Sequence, residues 1–224
     1  MAFELVDALS AEGASRLAAL KRAVLPVLAR GGESVVAVDL QNIAEFVGLE
    51  LERHQLLSAA TLVGKWLRVL RSASRSLSQV PLGGFDTPIT PGNDRTVRIV
   101  GHHILRIAES YVESAQDGTP ATLEHSERKL DAGSYRTPQE FVDYANRTMA
   151  RLSAWWGGGA ESQLATRLET YFGEQTLHEF LERSVWHSAQ HARQVEALLA
   201  GMGVMPAEPL TDELLAGLPI PKGL

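Results

Sequence analysis

The stretch from Thr176 to Gly201, TLHEFLERSVWHSAQHARQVEALLAG, decides the fold. Thr176 and Glu179 form a Thr-x-x-Glu box: the threonine oxygen accepts from the backbone three residues on, and the glutamate reaches back to the threonine N–H. A helix therefore starts there, and its spacing carries it to about Ala200, before Gly201. Within it Phe180, Val195 and Leu198 recur at four- and seven-residue steps from His187 and His191. An i, i+4 pair projects from one helix face, so the two rings point toward an apolar interior with these neighbours. Two inward imidazoles need polar partners, and a metal ion is an efficient one because it takes a nitrogen from each ring.

Three more helix-length segments precede this one. The first is expected from about Leu51 to Leu77, with Leu56, Ala60, Val63, Leu67 and Leu70 spaced by three and four. A Pro/Gly-rich loop from Val80 to Asn93 forbids helix. The second runs from about Arg95 to Ala115 with a stripe of Val97, Val100, Ile104, Ile107, Ala108 and Tyr111. The third is opened by Thr137-Pro138-Gln139-Glu140 and closed by Gly157-Gly158-Gly159. Long amphipathic segments joined by polar loops, with no strands between them, predict a mainly α protein whose core is an antiparallel four-helix bundle.

Before the bundle the pattern changes. Ala11 to Arg22 has helical spacing, Val24-Leu25-Pro26-Val27-Leu28 is a short apolar run, Arg30-Gly31-Gly32-Glu33 is a turn, Val35 to Val38 has strand composition, and Leu40 to Val47 returns to helix before Gly48. The expected division is a small α-β-β-α appendage over 1–48, the bundle over 49–203, and a tail over 204–224 with a short helix after Thr211.

Composition narrows the chemistry. The chain has 224 residues, enough for a sizeable core, and contains no cysteine. Disulfides, thiolate metal sites, iron–sulfur clusters and a cysteine nucleophile are therefore excluded. A net charge of −6, without a basic cluster, argues against a nucleic-acid partner. No run reaches the roughly 18 apolar residues of a membrane span, and MAFELVDALSAEG carries no basic stretch before an apolar run, so a soluble cytoplasmic protein is expected.

A third imidazole is available on the second segment, where His102 and His103 are adjacent. His103 has Ile99, Val100 and Ile107 at −4, −3 and +4, beside the apolar stripe. His102 has Arg98 and Arg106 at −4 and +4 and Glu109 at +7, a charged face. The candidate ligands are thus His103, His187 and His191, with His102 a surface residue or one beside the site. Gln194 and Glu109 are candidates to orient an imidazole, and Trp186 is a pocket or packing residue. His178, His125 and His54 are read as exposed, in a charged loop and on a polar face respectively. No catalytic residue is assigned.

The segment Asn93-Asp94-Arg95-Thr96-Val97-Arg98-Ile99-Val100-Gly101-His102-His103-Ile104, taken with His-x-x-x-His and a following Gln, resembles the DinB-like superfamily over about residues 50–200. That superfamily of metal-binding four-helix bundles includes thiol-dependent transferases and the mycothiol-dependent maleylpyruvate isomerase. The resemblance implies a divalent cation, zinc or nickel, on His103, His187 and His191. It also implies a transferase or isomerase that activates a low-molecular-weight thiol or water toward a small-molecule substrate. The alternative it leaves is a non-catalytic metal-binding or stress-responsive bundle. The N-terminal unit resembles the second half of a glutaredoxin, including a proline that in that fold is cis, but without its cysteine it cannot exchange disulfides. Bundles of this kind pair through helix faces, and the apolar tail from Leu210 to Leu224 needs cover, so a homodimer is expected.

Overall fold

The structure is a computed structural model that describes residues 3–21, 25–37, 40–50, 55–90, 94–128, 130–131 and 133–220. Among these the chain divides into two compact units, Met1–Gln55 and Leu56–Leu224. In the first unit, helix α1 (Ala11–Leu20) is capped by Ser10, whose hydroxyl accepts from Gly13 N at 3.0 Å, and ends at Lys21 in the left-handed region. Strands β1 (Val27–Arg30) and β2 (Glu33–Val36) pair antiparallel through the Gly31-Gly32 turn, with Arg30 opposite Glu33. The Leu25–Pro26 peptide bond is cis. Helix α2 (Leu40–Val47) follows, and the guanidinium of Arg30 lies over the Phe46 ring. The α-β-β-α order is as expected, with β2 two residues earlier than its branched run suggests. Val24 and Val38 lie outside the described residues, as does His54.

The second unit is the bundle. Its long helices are α3 (Ala59–Ser78), α4 (Val97–Asp117), α6 (Pro138–Gly157) and α7 (Leu177–Gly201), with the four-residue α5 (Leu123–Ser126) between α4 and α6. Both Thr-x-x-Glu boxes form: Thr137 and Thr176 accept from the backbone of Glu140 and Glu179, whose carboxylates return the bond. Cross-helix bonds give the directions. Trp66 Nε1 donates to Ser188 at 3.0 Å and Ser72 Oγ to Glu196 at 3.0 Å, so α3 and α7 run parallel. Ser188 Oγ donates to Ile104 O and Tyr111 OH to Leu177 O, so α4 and α7 run antiparallel. The second and fourth segments are neighbours.

Two expectations need correction. The first helix begins at Ala59 with Ser58 as its cap, and Leu56 and Leu57 lie outside it. Tertiary partners take the bonds a helix would have used there: Leu57 N donates to Glu182 at 3.4 Å and Leu57 O meets His178 Nε2 at 2.8 Å. Ala60 consequently faces solvent, and Leu62, Trp66, Val69 and Leu70 carry the core. Strands also occur between helices: β3 (Arg167–Thr170) pairs antiparallel with β4 (Gly173–Thr176) and feeds directly into the α7 cap. Their four-residue length and polar composition hide them. In the tail, helix α8 (Asp212–Leu215) packs with Lys65 Nζ donating to Leu214 O at 2.6 Å, and Leu214 and Leu218 are buried. Among the described residues no helix is long and apolar enough to cross a membrane.

Gly101 is the close approach that sets the α3, α4 and α6 spacing. A Cβ there would meet Leu77 Cδ2 at 2.8 Å and Phe141 Cε1 at 3.0 Å. Gly101→Val is expected to destabilise the protein by about 1–3 kcal/mol through overpacking, lowering Tm by roughly 2–4 °C per kcal/mol. A thermal melt at or above the parent Tm would contradict this packing.

Candidate metal centre

The three inward histidines meet on the seam between α4 and α7. His103 enters from the second turn of α4, opposite His187 and His191 on successive turns of α7. Ring centroids are 5.1 Å apart for His103–His187, 5.0 Å for His103–His191 and 4.9 Å for His187–His191. One nitrogen from each ring lies within 4.8 Å of those of the others. His103 and His191 are buried and His187 is half-buried. Burial disfavours the charged imidazolium and pushes His103 down to about 2 and His187 to about 3, with the neighbouring rings and the Arg95 guanidinium acting in the same direction. His191 is lowered as well, again by burial first. The rings are therefore neutral at pH 7.

Their tautomers suit a shared cation. Gln194 Oε1 accepts from His191 Nδ1 at 2.8 Å, which turns the Nε2 lone pair inward to within 3.1 Å of His187 Nε2. Metal–imidazole bonds of about 2.0–2.1 Å span a tetrahedral edge of roughly 3.4 Å, so this pair is already near chelating separation. Neutral nitrogen donors without sulfur suit a divalent first-row metal ion.

The other sequence candidates fall in different places. Glu109 accepts from Arg106, from Tyr144 OH at 2.8 Å and from Arg151 at 3.4 Å. Trp186 lies beside His187 with ring centroids 5.8 Å apart and under the Arg183 guanidinium. His102 is not on a solvated face. It is half-buried, its ring 5.3 Å from Tyr135 and 5.7 Å from Tyr144, and burial followed by the Arg106 charge lowers it to about 4. The charged face it belongs to is covered by His125 on α5, by Tyr135 and by Tyr144 on α6. Arg106 is only 1% exposed there. It binds Glu109 and Glu113 at 2.7 Å each and donates to His125 O, while His125 Nε2 meets Glu113 at 2.7 Å. His125 thus sits on α5 in an ion network, and His178 is half-buried on Leu57 O. Tyr135, at φ 57°, stacks on His102, and Arg95 shares a cavity wall with His103 without any signal in the local spacing. A ring in the left-handed region is uncommon for a non-glycine residue.

This arrangement defines a helical bundle with a buried three-histidine cluster between two of its helices. The description of the matching family model is the DinB superfamily, and it spans residues 17–195. The chain belongs to that superfamily. The match begins well before the expected residue 50, inside α1, so it takes in the N-terminal hairpin as well as the bundle. No curated protein matches the chain.

Neutral buried histidines make stability depend on pH. Their folded pKa values lie below the unfolded value of about 6.5, so unfolding takes up protons as pH falls. The stabilisation is complete above that value and is lost toward the folded values, by up to about 1.4 kcal/mol per pH unit per histidine. Urea unfolding in the presence of a chelator should show a loss of several kcal/mol between pH 6.5 and 5. A flat profile would contradict the neutral, desolvated assignment.

Proposed function

We propose that the chain is a divalent-metal-binding member of the DinB superfamily that activates a low-molecular-weight thiol or water for transfer to, or isomerisation of, a small-molecule substrate. One observation carries it: three neutral imidazoles from two helices converge, with His191 held by Gln194 so that its Nε2 faces inward. His103, His187 and His191 would hold the ion, and zinc or nickel suits them. Bound there, such an ion supplies a Lewis acid with open positions that brings the pKa of a coordinated thiol or water toward about 7.

The chain's own residues do the rest. Gln194 keeps the proton on His191 Nδ1 and away from the donor nitrogen. Trp186 flanks His187, and Ile104 and Ala189, both fully buried, wall the seam against water. A sulfur nucleophile must come from outside, since the sequence has no cysteine. The N-terminal unit is read as a cysteine-free glutaredoxin half that docks the thiol or a partner. Its hairpin between two helices supports that reading.

Protein purified without a histidine tag and reconstituted with zinc or nickel should contain about one ion per chain by elemental analysis. His187→Ala, His191→Ala should abolish this, and Gln194→Leu should weaken affinity by about 10–100-fold. Uptake well below one ion, or unchanged affinity in the double variant, sinks the metal reading. For the thiol, 2-mercaptoethanol added to the nickel form should produce a thiolate-to-metal charge-transfer band. Failure to do so rejects thiol activation and leaves a metal-binding bundle.

A further inference from the structure

A cavity of about 590 Å³ opens beside His103, a size typical of small-molecule sites. Among the described residues its wall carries Arg95, Arg98 and Arg128 together with Glu127. Three guanidiniums gathered round one concavity stand out in a chain of net charge −6. Their positions are built into the fold. Arg98 is tied to Asp86, with Nε 3.4 Å from the carboxylate, and Arg128 comes within 3.9 Å of Glu113, the same carboxylate that anchors Arg106 and His125. Arg95 lines the same cavity as His103, which places its charge on the side of the candidate metal centre. Ile99 and Leu130 add apolar surface to the same wall.

We propose that this cavity binds a small organic anion, with its carboxylate or phosphate held by Arg95, Arg98 and Arg128 and its remaining atoms lying on Ile99 and Leu130 toward His103. Guanidinium forks match both oxyanions in geometry and charge. A polyanionic macromolecule is the poorer fit, because the recognition surface is one concavity and the rest of the chain is net acidic. That the anion is the substrate of the metal centre rests on the three-histidine reading. The anion site itself rests on the arginines alone.

Calorimetric titrations with glutarate, phenyl phosphate and the uncharged analogue glutaramide, on chelator-treated and on zinc-loaded protein, test both parts. At least one of the two anions should bind both forms, the stronger naming the headgroup, while glutaramide does not bind and affinity falls as sodium chloride is raised. Arg128→Gln, a change at a largely exposed side chain, should weaken anion binding about 10-fold without altering zinc stoichiometry. Arg95→Gln, Arg128→Gln should abolish it, with thermal melts confirming that both variants fold. The proposal is overturned if neither anion binds, if glutaramide binds as well as glutarate, or if the double variant keeps parent affinity. Anion binding seen only with zinc and indifferent to Arg128→Gln also overturns it, since the anion would then sit on the metal. Arginine-dependent binding in a protein that takes up no zinc refutes the metal reading and leaves the anion site standing.

Discussion

Placing three uncharged imidazoles on one seam requires α4 and α7 to stay in fixed register, because a slip of one residue rotates a helix by about 100° and swings each ring away. Ser188 supplies that register. It lies between His187 and His191, accepts from Trp66 on α3 and donates to Ile104 O, one residue past His103. Tyr111 repeats the restraint two turns further along α4 through its bond to Leu177 O. All these groups are buried, so each bond lost would leave a desolvated polar atom as well as a loosened helix. The polar contacts that orient the seam and the apolar packing that keeps it dry are thus coupled.

A second polar device lies on α4 as well. Arg106 cannot be left without its carboxylates at 1% exposure, since an uncompensated buried guanidinium would cost several kcal/mol. Glu109 and Glu113 supply the charge and His125 O takes two more donors. For Glu113, burial alone would raise the pKa, but the hydrogen bonds and charge of Arg106 outweigh it and hold the carboxyl below its usual range. The network draws α5 onto α4, and the residues just after His125 then form part of the cavity wall. An ion cluster remote from the histidines in function is in this way what shapes the approach to them.

What could be read from the chain in advance was whatever is decided within a turn or two of helix. The Thr137 and Thr176 boxes are closed by residues three positions away, and the outcome of the His102 and His103 comparison follows from neighbours at three and four. Where distant partners decide, local pattern misled. The apolar run before Ser58 looks helical, yet the Leu57 backbone is bound by Glu182 and His178 from α7. Arg106 and His102 have the spacing of a solvated face, yet Arg106 is held on His125 O and the His102 ring lies against Tyr135 and Tyr144, all distant in sequence. The β3–β4 hairpin has too few apolar residues to announce itself, and its turn depends on Gly173 at φ 112°.

The same distinction explains why the histidine cluster was easier to read than its surroundings. Ligands on helices inherit the helical period, so an inward pair at i, i+4 and an inward single residue on a neighbouring helix are periodic facts of sequence. The cavity beside them is walled by residues from the start of α4 and from the α5 connection, and the connection has no long helical period. Arg95 and Arg128 lie far apart in the sequence and share no spacing rule. Their convergence is imposed by the Arg106 network and by the docking of the connection. A change in that connection can therefore alter which molecules approach the histidines while leaving the three rings in place.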